Sequence, residues 1–331
     1  MKRSGMRVLA SLRLAAAGLI ALVGAMACGP GQPDSVTVAF FNEWPAPNQV
    51  AQTRQTYDEA LGVQVKWRAF NNGIEINEAM AAGEVDIAYA QGIVPWVVAV
   101  SEGQPFRLVG IAFSYSEADN CVVHADTGIG PSNAGELANK KVATTVGNVT
   151  HYKLLRTLEH LDVDKVEIVE MNGADAAEAL ARGEVAMACA FGGPLQRMKE
   201  FGRELMTAEQ QEAIGIRVFD IVVATDEFVD KNPELMRKFM EVTEQANDAY
   251  RSDSGRYDED AAGAAGMGLE AARALLDTFE FPTAAEQKNR EWLGGGVDVF
   301  AQDAAQFFVD QGQLDRALDS YAFAIDASFL P

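Results

Sequence analysis

The chain has 331 residues, with 27 basic and 48 acidic side chains and a formal net charge of −21 at pH 7. A chain of this length buries a large core and suits two domains or one large domain. Because so acidic a surface repels a phosphate backbone, nucleic acid is not expected among its partners. Three Cys and three His leave little for a metal cage, and neither a metal nor a cofactor is expected.

The N-terminus has the pattern of an export signal. Four basic residues fall among the first 13, and residues 14–27 then form an apolar or small run that is too short to span a bilayer. Residues 1–27 are therefore predicted to be a signal peptide, whose removal takes the net charge from −21 to −25 because it holds four basic and no acidic residues. The mature protein is expected in the periplasm.

The end of this leader allows two interpretations. Residues 25–27 (AMA) suit ordinary cleavage, whereas Cys28 directly after them suits a lipoprotein whose cysteine carries the lipid. We favour lipidation at Cys28, which would anchor the protein to a membrane. Residues 28–35 are rich in Gly and Pro and are predicted to be a flexible tether.

After the tether, strand-like and helix-like segments alternate. This order predicts a parallel sheet with helices on both faces. The predicted elements are a strand at 36–41, a helix at 49–61 ended by Gly62, a strand at 63–70, a helix at 74–82 and a buried strand at 85–90.

An internal repeat predicts two lobes of similar construction. Residues 79–90 (AMAAGEVDIAYA) and 179–190 (ALARGEVAMACA) lie 100 residues apart and agree at seven of twelve positions. Each copy has a helix end, a glycine stop and a core strand. The chain is predicted to cross between the lobes at residues 120–124 and 218–224. The predicted domains are 36–119 (first part of lobe 1), 120–220 (lobe 2) and 221–331 (return to lobe 1 with the C-terminal helices).

Common catalytic motifs are missing from the sequence, but two helix starts stand out. There is no P-loop, G-x-S-x-G or H-E-x-x-H pattern. Residues 71–74 (NNGI) and 147–152 (GNVTHY) are glycine-containing turns that each lead into a helix, at what we take to be equivalent places in the two lobes. Helix starts bind anions through free N–H groups, although every helix also needs a cap there. Facing each other across a cleft, the two turns would form a binding site.

Several segments, taken in order, resemble the periplasmic substrate-binding proteins of the taurine/nitrate/sulfonate group of ABC transporters, and taurine-binding proteins most of all. After the leader they are VTVAFF–NEWPAPNQVAQ, GEVDIAYAQG, DNCVV, THYKLL after VATTV, AFGGP and VFDIVVATDEFVDKNPELMRKFM. The resemblance implies a two-lobed α/β fold of the periplasmic-binding-protein type II (venus flytrap), with parallel-sheet lobes joined by two hinge strands. It implies a monomer that is not an enzyme and delivers taurine or a similar aminosulfonate to a membrane permease and its ATPase subunits.

The resemblance also implies which residues bind the ligand. Thr150, His151 and Tyr152 match the T-H-Y at the helix start beside the sulfonate, and Asp220 matches an acid that would pair with the ligand's ammonium group. Trp44, in a long aromatic first loop, would either cover the ligand or fill the interior behind the loop. The whole expected set is Asn42, Trp44, Gly73, Gln91, Gly92, Thr150, His151, Tyr152, Phe191 and Asp220.

Two other functions remain open. The same fold could hold a quaternary ammonium or guanidino compound in an aromatic cage. That cage would be built from Glu43, Trp44, Glu75, Tyr152, Phe191 and Asp220. A two-lobed enzyme, similar to those of thiamine-pyrimidine synthesis, is the third possibility; the export signal argues against it because that synthesis is cytoplasmic.

Two cysteines of the mature chain are predicted to form a disulfide within the second lobe. Cys121 lies on the entering hinge strand and Cys189 on a core strand of that lobe, and such strands can be neighbours. Disulfides persist in exported proteins. The alternative is two buried free thiols, since free cysteine is a common core residue.

Overall fold

The computed structural model describes residues 33–256 and 258–331. The predicted signal peptide, Cys28 and most of the predicted tether lie outside these residues. Within the described part of the chain, no helix combines the length and the apolar character needed to cross a membrane.

The described strands form two five-stranded sheets, one in each lobe. In chain order the strands are β1 (Ser35–Phe41), β2 (Gln64–Phe70), β3 (Ile87–Gly92), β4 (Phe106–Tyr115), β5 (Asp119–His124), β6 (Lys141–Thr144), β7 (Glu167–Glu170), β8 (Met187–Phe191), β9 (Gly202–Glu204) and β10 (Val218–Thr225). The first sheet has the order β2-β1-β3-β10-β4, and the second has the order β7-β6-β8-β5-β9. The two lobes therefore share one topology, which confirms the two-lobed α/β prediction.

Each sheet is mixed rather than purely parallel. In the first sheet β10 runs antiparallel to β3 and β4, and in the second β5 runs antiparallel to β8 and β9. These two strands are the ones that were predicted to cross between lobes. A chain that arrives from the other lobe enters a sheet at the carboxyl ends of its parallel strands, so it must run back against them. The links that change lobes are residues 116–118 and 205–217, and β10 lies wholly in the first sheet.

The internal repeat occupies the same place in both sheets. Each copy ends a helix, turns at a left-handed glycine (Gly83 at φ 72°, Gly183 at φ 67°) and enters the central strand, β3 or β8. The closing hydrogen bonds also correspond, since Glu84 N–H donates to Ala79 O at 2.9 Å and Glu184 N–H to Ala179 O at 2.9 Å. This is the backbone geometry that ends a helix at a glycine.

Helices cover both sheets. They are α1 (Asn48–Thr53), α2 (Thr56–Leu61), α3 (Gly73–Ala81), α4 (Ile93–Ser101), α5 (Val149–His160), α6 (Gly173–Ala181), α7 (Gly192–Lys199), α8 (Ala208–Ala213), α9 (Asp226–Lys231), α10 (Pro233–Ser252), α11 (Asp258–Ala265), α12 (Leu269–Leu276), α13 (Ala284–Gln287) and α14 (Gly296–Asp310). The single helix predicted at 49–61 is two helices, because Gln55 adopts a left-handed φ of 58° between them. The C-terminal helices share one hydrophobic core with the first sheet.

A disulfide joins Cys121 and Cys189 inside the second lobe. The two residues are opposite each other on the antiparallel strands β5 and β8, and both are buried. The bridge therefore ties the strand that enters the lobe to the central strand of its sheet.

Candidate functional site

The carboxyl ends of the first-sheet strands and the helix starts of the second lobe enclose a small cavity, which we call the inner cavity. Its volume is about 10 Å³, which is room for about one water molecule. Both lobes contribute to its wall, which consists of Phe41, Trp44, Gly92, Tyr115, Asp119, Asn148, Val149, Phe191 and Asp220. Sheets of this class bind ligands at this edge.

Asp220, on β10, is one of two buried acids in the wall of the inner cavity. It is 1% exposed, and its two carboxylate oxygens accept hydrogen bonds from Trp44 Nε1 at 2.8 Å and from the Tyr115 hydroxyl at 2.9 Å. Burial raises the pKa of Asp220 to about 8, the two hydrogen bonds offset part of that rise, and the charge of Asp119 adds to it. The carboxyl is therefore oriented by aromatic donors but lacks a positive partner among these contacts.

A second buried acid, Asp119, faces the same cavity from the other lobe. One carboxylate oxygen accepts from the Thr150 hydroxyl at 2.8 Å, and the other, Oδ1, has no hydrogen-bond partner among the described residues. Burial raises the pKa of Asp119 to about 6, while the nearby charge of Lys153 and the Thr150 hydroxyl act to lower it. Lys153 itself donates to the main-chain oxygens of Asp119 and, at 3.0 Å, of Ser116.

A larger outer cavity of about 60 Å³ lies beside the inner one, and Phe191 lines both. Its remaining wall is formed by Asn42, Glu43, Asn71, Thr145, Thr150, Asn172, Gly173, Ala174, Cys189, Ala190 and Pro194. The wall is mostly uncharged, with three asparagines and two threonines beside apolar side chains, and it includes the start of α6. Its one acid among the described residues, Glu43, pairs in bidentate fashion with Arg197 of the second lobe at 2.9 and 3.1 Å.

The two lobes approach each other closely at glycines. A Cβ atom on Gly92 would collide with the side chain of Val149 from the other lobe. One on Gly192, which has a left-handed φ of 61°, would collide with the main-chain oxygen of Glu43 and contact the Trp44 ring. The structure therefore describes lobes in contact, and side chains at these positions would hold them apart.

Six of the ten residues expected to bind ligand line one of the two cavities: Asn42, Trp44, Gly92, Thr150, Phe191 and Asp220. Trp44 is 3% exposed, and its ring packs edge-on against Tyr115 and Phe191 with centroids 5.1 and 5.2 Å apart. It therefore fills the interior behind the first loop and also borders the cavity.

The other four expected residues have different surroundings. His151 accepts from Gly147 N–H at 3.1 Å, and burial lowers its pKa to about 4, so the ring is neutral. Tyr152 packs against Phe307 of α14, with ring centroids 5.5 Å apart. The side-chain amide of Gln91 donates hydrogen bonds to Asn77 and to the main-chain oxygen of Gly73. The side chain of Pro95 packs directly against the Cα of Gly73 and leaves no space for a ligand there. None of the four is part of either cavity wall.

The proposed equivalence of the two helix starts is wrong. By topology β7 corresponds to β2, so α6 corresponds to α3, and the partner of Asn72–Gly73 is Asn172–Gly173. The side chain of each asparagine caps its helix. The turn at residues 147–149 follows β6 and corresponds to the first loop, after β1. The 100-residue period of the repeat already points to this pairing.

Residues that the sequence analysis missed complete the inner cavity: Phe41, Tyr115, Asp119, Asn148 and Val149. Asp119 had one usable signal, because an acid that directly precedes the buried run NCVV is unusual in a core strand. Tyr115 had no such signal in the sequence, since aromatic residues are common in the core at the ends of strands. Among residues 33–256 and 258–331, no three potential metal-ligating side chains come together.

Comparison with known proteins supports the same fold. The taurine-binding periplasmic protein of Escherichia coli (strain K12) is 26% identical over 307 residues, covering 90% of this chain and 93% of that protein. The alkanesulfonate-binding protein SsuA from Xanthomonas axonopodis pv. citri, solved with bound MOPS, superposes with a TM-score of 0.73 at 18% identity, covering 89% of this chain and 98% of the other.

A Candida albicans protein described as having the generic periplasmic binding protein fold superposes with a TM-score of 0.65 at 13% identity, over 90% of this chain and 97% of the other. These similarities confirm the predicted fold class. The sequence model of the NMT1/THI5-like family matches residues 46–253, more than half of the chain. The chain is therefore a member of the NMT1/THI5-like family.

Proposed function

We propose that this protein is an extracytoplasmic solute-binding protein that captures taurine or a similar small aminosulfonate. The main support for the proposal is the position of Asp220. Its buried carboxylate accepts hydrogen bonds from Trp44 and Tyr115 at a cavity between the two lobes. A carboxylate in such a place lacks solvent and favours a cationic partner. The ligand's ammonium group would supply that charge, and the named relative from E. coli binds taurine.

The outer cavity suits the sulfonate end. Long-range attraction cannot bring an anion here, because the chain carries a net charge of −21. Local donors must act instead, and the outer cavity offers the amide of Asn71 and those N–H groups at the start of α6 that the Asn172 side chain does not cap. Arg197 neutralises Glu43, the acid of that wall. The Thr150 hydroxyl donates to Asp119 and is therefore not among the donors for the sulfonate.

An aromatic cage for a quaternary ammonium ion receives less support. Of the residues proposed for it, Glu43 pairs with Arg197, Glu75 accepts from the Asn71 main chain and the Asn72 side chain, and Tyr152 packs against α14. Only Trp44, Phe191 and Asp220 meet at the inner cavity. That cavity has room for about one water molecule, a volume that suits a primary ammonium better than three methyl groups.

Thermal-shift measurements test the ligand class. We expect taurine at 100 times its Kd to stabilise the protein by about 2.7 kcal/mol and to raise its melting temperature. Glycine betaine at the same concentration should leave the melting temperature unchanged. If betaine stabilises the protein and taurine does not, the cationic-cage function replaces this one.

We further propose that the protein acts in the periplasm, as a monomer, and delivers its ligand to a membrane permease and its ATPase subunits. The E. coli relative is a periplasmic protein. The lobes would close around the ligand and present one surface to the permease.

The mature chain is expected to begin at Cys28 and to carry lipid there. The motif AMAC at the end of the apolar leader motivates this expectation. The intact mass of the protein from membrane fractions should show an acylated cysteine. An unmodified N-terminus in the soluble periplasm would contradict lipidation but not export.

A further inference from the structure

We propose that Asp119 is a second carboxylate for the ligand's ammonium group and makes the site selective for a primary ammonium end. This inference rests on the proposed function and adds a residue from the opposite lobe. It starts from Oδ1 of Asp119, a buried oxygen of a side chain that is 1% exposed, which has no hydrogen-bond partner among the described residues.

The other groups around Asp119 leave this oxygen to a ligand. Thr150 donates to Oδ2, and Lys153 directs two of its three donors to the main-chain oxygens of Ser116 and Asp119. A buried carboxylate oxygen without a donor is unfavourable, so the site gains when a donor arrives. Oδ1 belongs to a residue of the inner-cavity wall, which it shares with Asp220.

A primary ammonium group matches this arrangement in charge, size and number of donors. It carries three N–H donors and a compact charge. The two oxygens of Asp220 each accept one hydrogen bond already and can accept another, while Oδ1 of Asp119 accepts none. A cavity with room for about one water molecule accommodates such a head group.

The position of the two acids also links ligand charge to lobe contact. Asp220 lies in the first sheet and Asp119 begins the first strand of the second. Asp119 lies beside Lys153, whereas Asp220 has no cation among its contacts, and the charge of Asp119 makes ionisation of Asp220 less favourable. An ammonium group between the two acids attracts both carboxylates and favours the ionised form of Asp220, so it favours the closed arrangement in a way that an uncharged end cannot.

Calorimetry with two matched ligands tests the proposal. Ethanesulfonate has the two carbons and the sulfonate of taurine but no ammonium group. We expect Asp119→Asn to weaken taurine binding by about 10- to 100-fold, the worth of one hydrogen bond to a charged group, and to leave ethanesulfonate binding unchanged or tighter. Glu117→Gln, an exposed acid two residues away, is the control and should change neither.

Asp119→Glu keeps a carboxylate and should retain more of the preference for taurine over ethanesulfonate than Asp119→Asn does. If Asp119→Asn does not fold, the comparison of Asp119→Glu with the wild type still tests the proposal. The proposal is overturned if Asp119→Asn binds taurine as the wild type does, if it loses both ligands equally, or if the Glu and Asn variants lose the same preference. If the wild type binds no aminosulfonate at all, the proposed function fails, and this inference falls with it.

Discussion

Asp220→Asn is expected to weaken taurine binding by some hundreds-fold or more. The variant removes the negative partner of a buried ammonium group, and breaking a buried charge pair on one side typically costs about 3–5 kcal/mol. The amide has nearly the shape of the carboxylate, so Trp44 and Tyr115 keep a polar neighbour. Calorimetry against taurine measures the loss, and ethanesulfonate serves as the control ligand because it has no ammonium group to lose.

The same substitution should stabilise the ligand-free protein at alkaline pH. Burial raises the pKa of Asp220 to about 8 in the folded state, whereas an unfolded chain holds it near 3.9. Between these values the folded state binds a proton that the unfolded state has released. The stability associated with this group is therefore fully present below about pH 4 and is lost as the pH rises through about 8.

Asn cannot ionise, so the variant escapes this loss. Thermal melts of the two proteins should agree at pH 4.5 and diverge at pH 8.5, where the variant melts at the higher temperature. Asp119 also titrates in this range, with a pKa of about 6, but both proteins contain it, so its titration changes the stability of both. Equal melting temperatures at pH 8.5, together with unchanged taurine binding, would mean that Asp220 is neither a strained carboxylate nor the ammonium partner.

Such a combination, in which a substitution improves folding and removes binding, is expected of a group kept for function. Asp220 lies between Trp44 and Tyr115 in a wall with two further aromatic rings, where a buried carboxylate is unfavourable until a cation arrives. Ligand binding would therefore supply the cationic partner that the buried carboxylate lacks in the free protein. This is the physical reason to treat the acid as a binding residue rather than a structural one.

The lobes were predictable from the sequence because their signals are local and repeated. Gly83 and Gly183 each stop a helix before a buried strand, and they lie 100 residues apart at the same place in the shared topology. The direction of the crossing strands was not predictable, since an apolar strand has the same composition in either direction. The break at Gln55 also had no signal, because neither glycine nor proline marks it.

The site was predictable only where one residue carries a distinctive chemistry. Asp220 and Trp44 stand out in apolar surroundings, and both line the inner cavity. His151 looked equally distinctive, yet it lies in the first turn of α5, where its ring accepts a hydrogen bond from Gly147 N–H. Asp119 meets Asp220 only through the packing of two lobes, 101 positions apart in the chain, and no local pattern reports such a contact.

The disulfide is expected to be the largest single contribution to the stability of the second lobe. Cys121 and Cys189 are 68 residues apart, and a bridge across a loop of that length stabilises a protein by about 4 kcal/mol, mainly by restricting the unfolded chain. Both strands are buried core strands of one sheet, so the folded lobe keeps its geometry without the bridge.

Replacing Cys121 and Cys189 together with Ala should lower the melting temperature by roughly 10 °C. A reducing agent should lower the melting temperature of the wild type by a similar amount and leave the double variant unchanged, which separates the bridge from the lost sulfur atoms. Thiol titration of the denatured, unreduced protein is the direct check. Two free thiols beyond Cys28 would show that these cysteines are not bonded, and the wild type should then melt at the same temperature with and without the reducing agent.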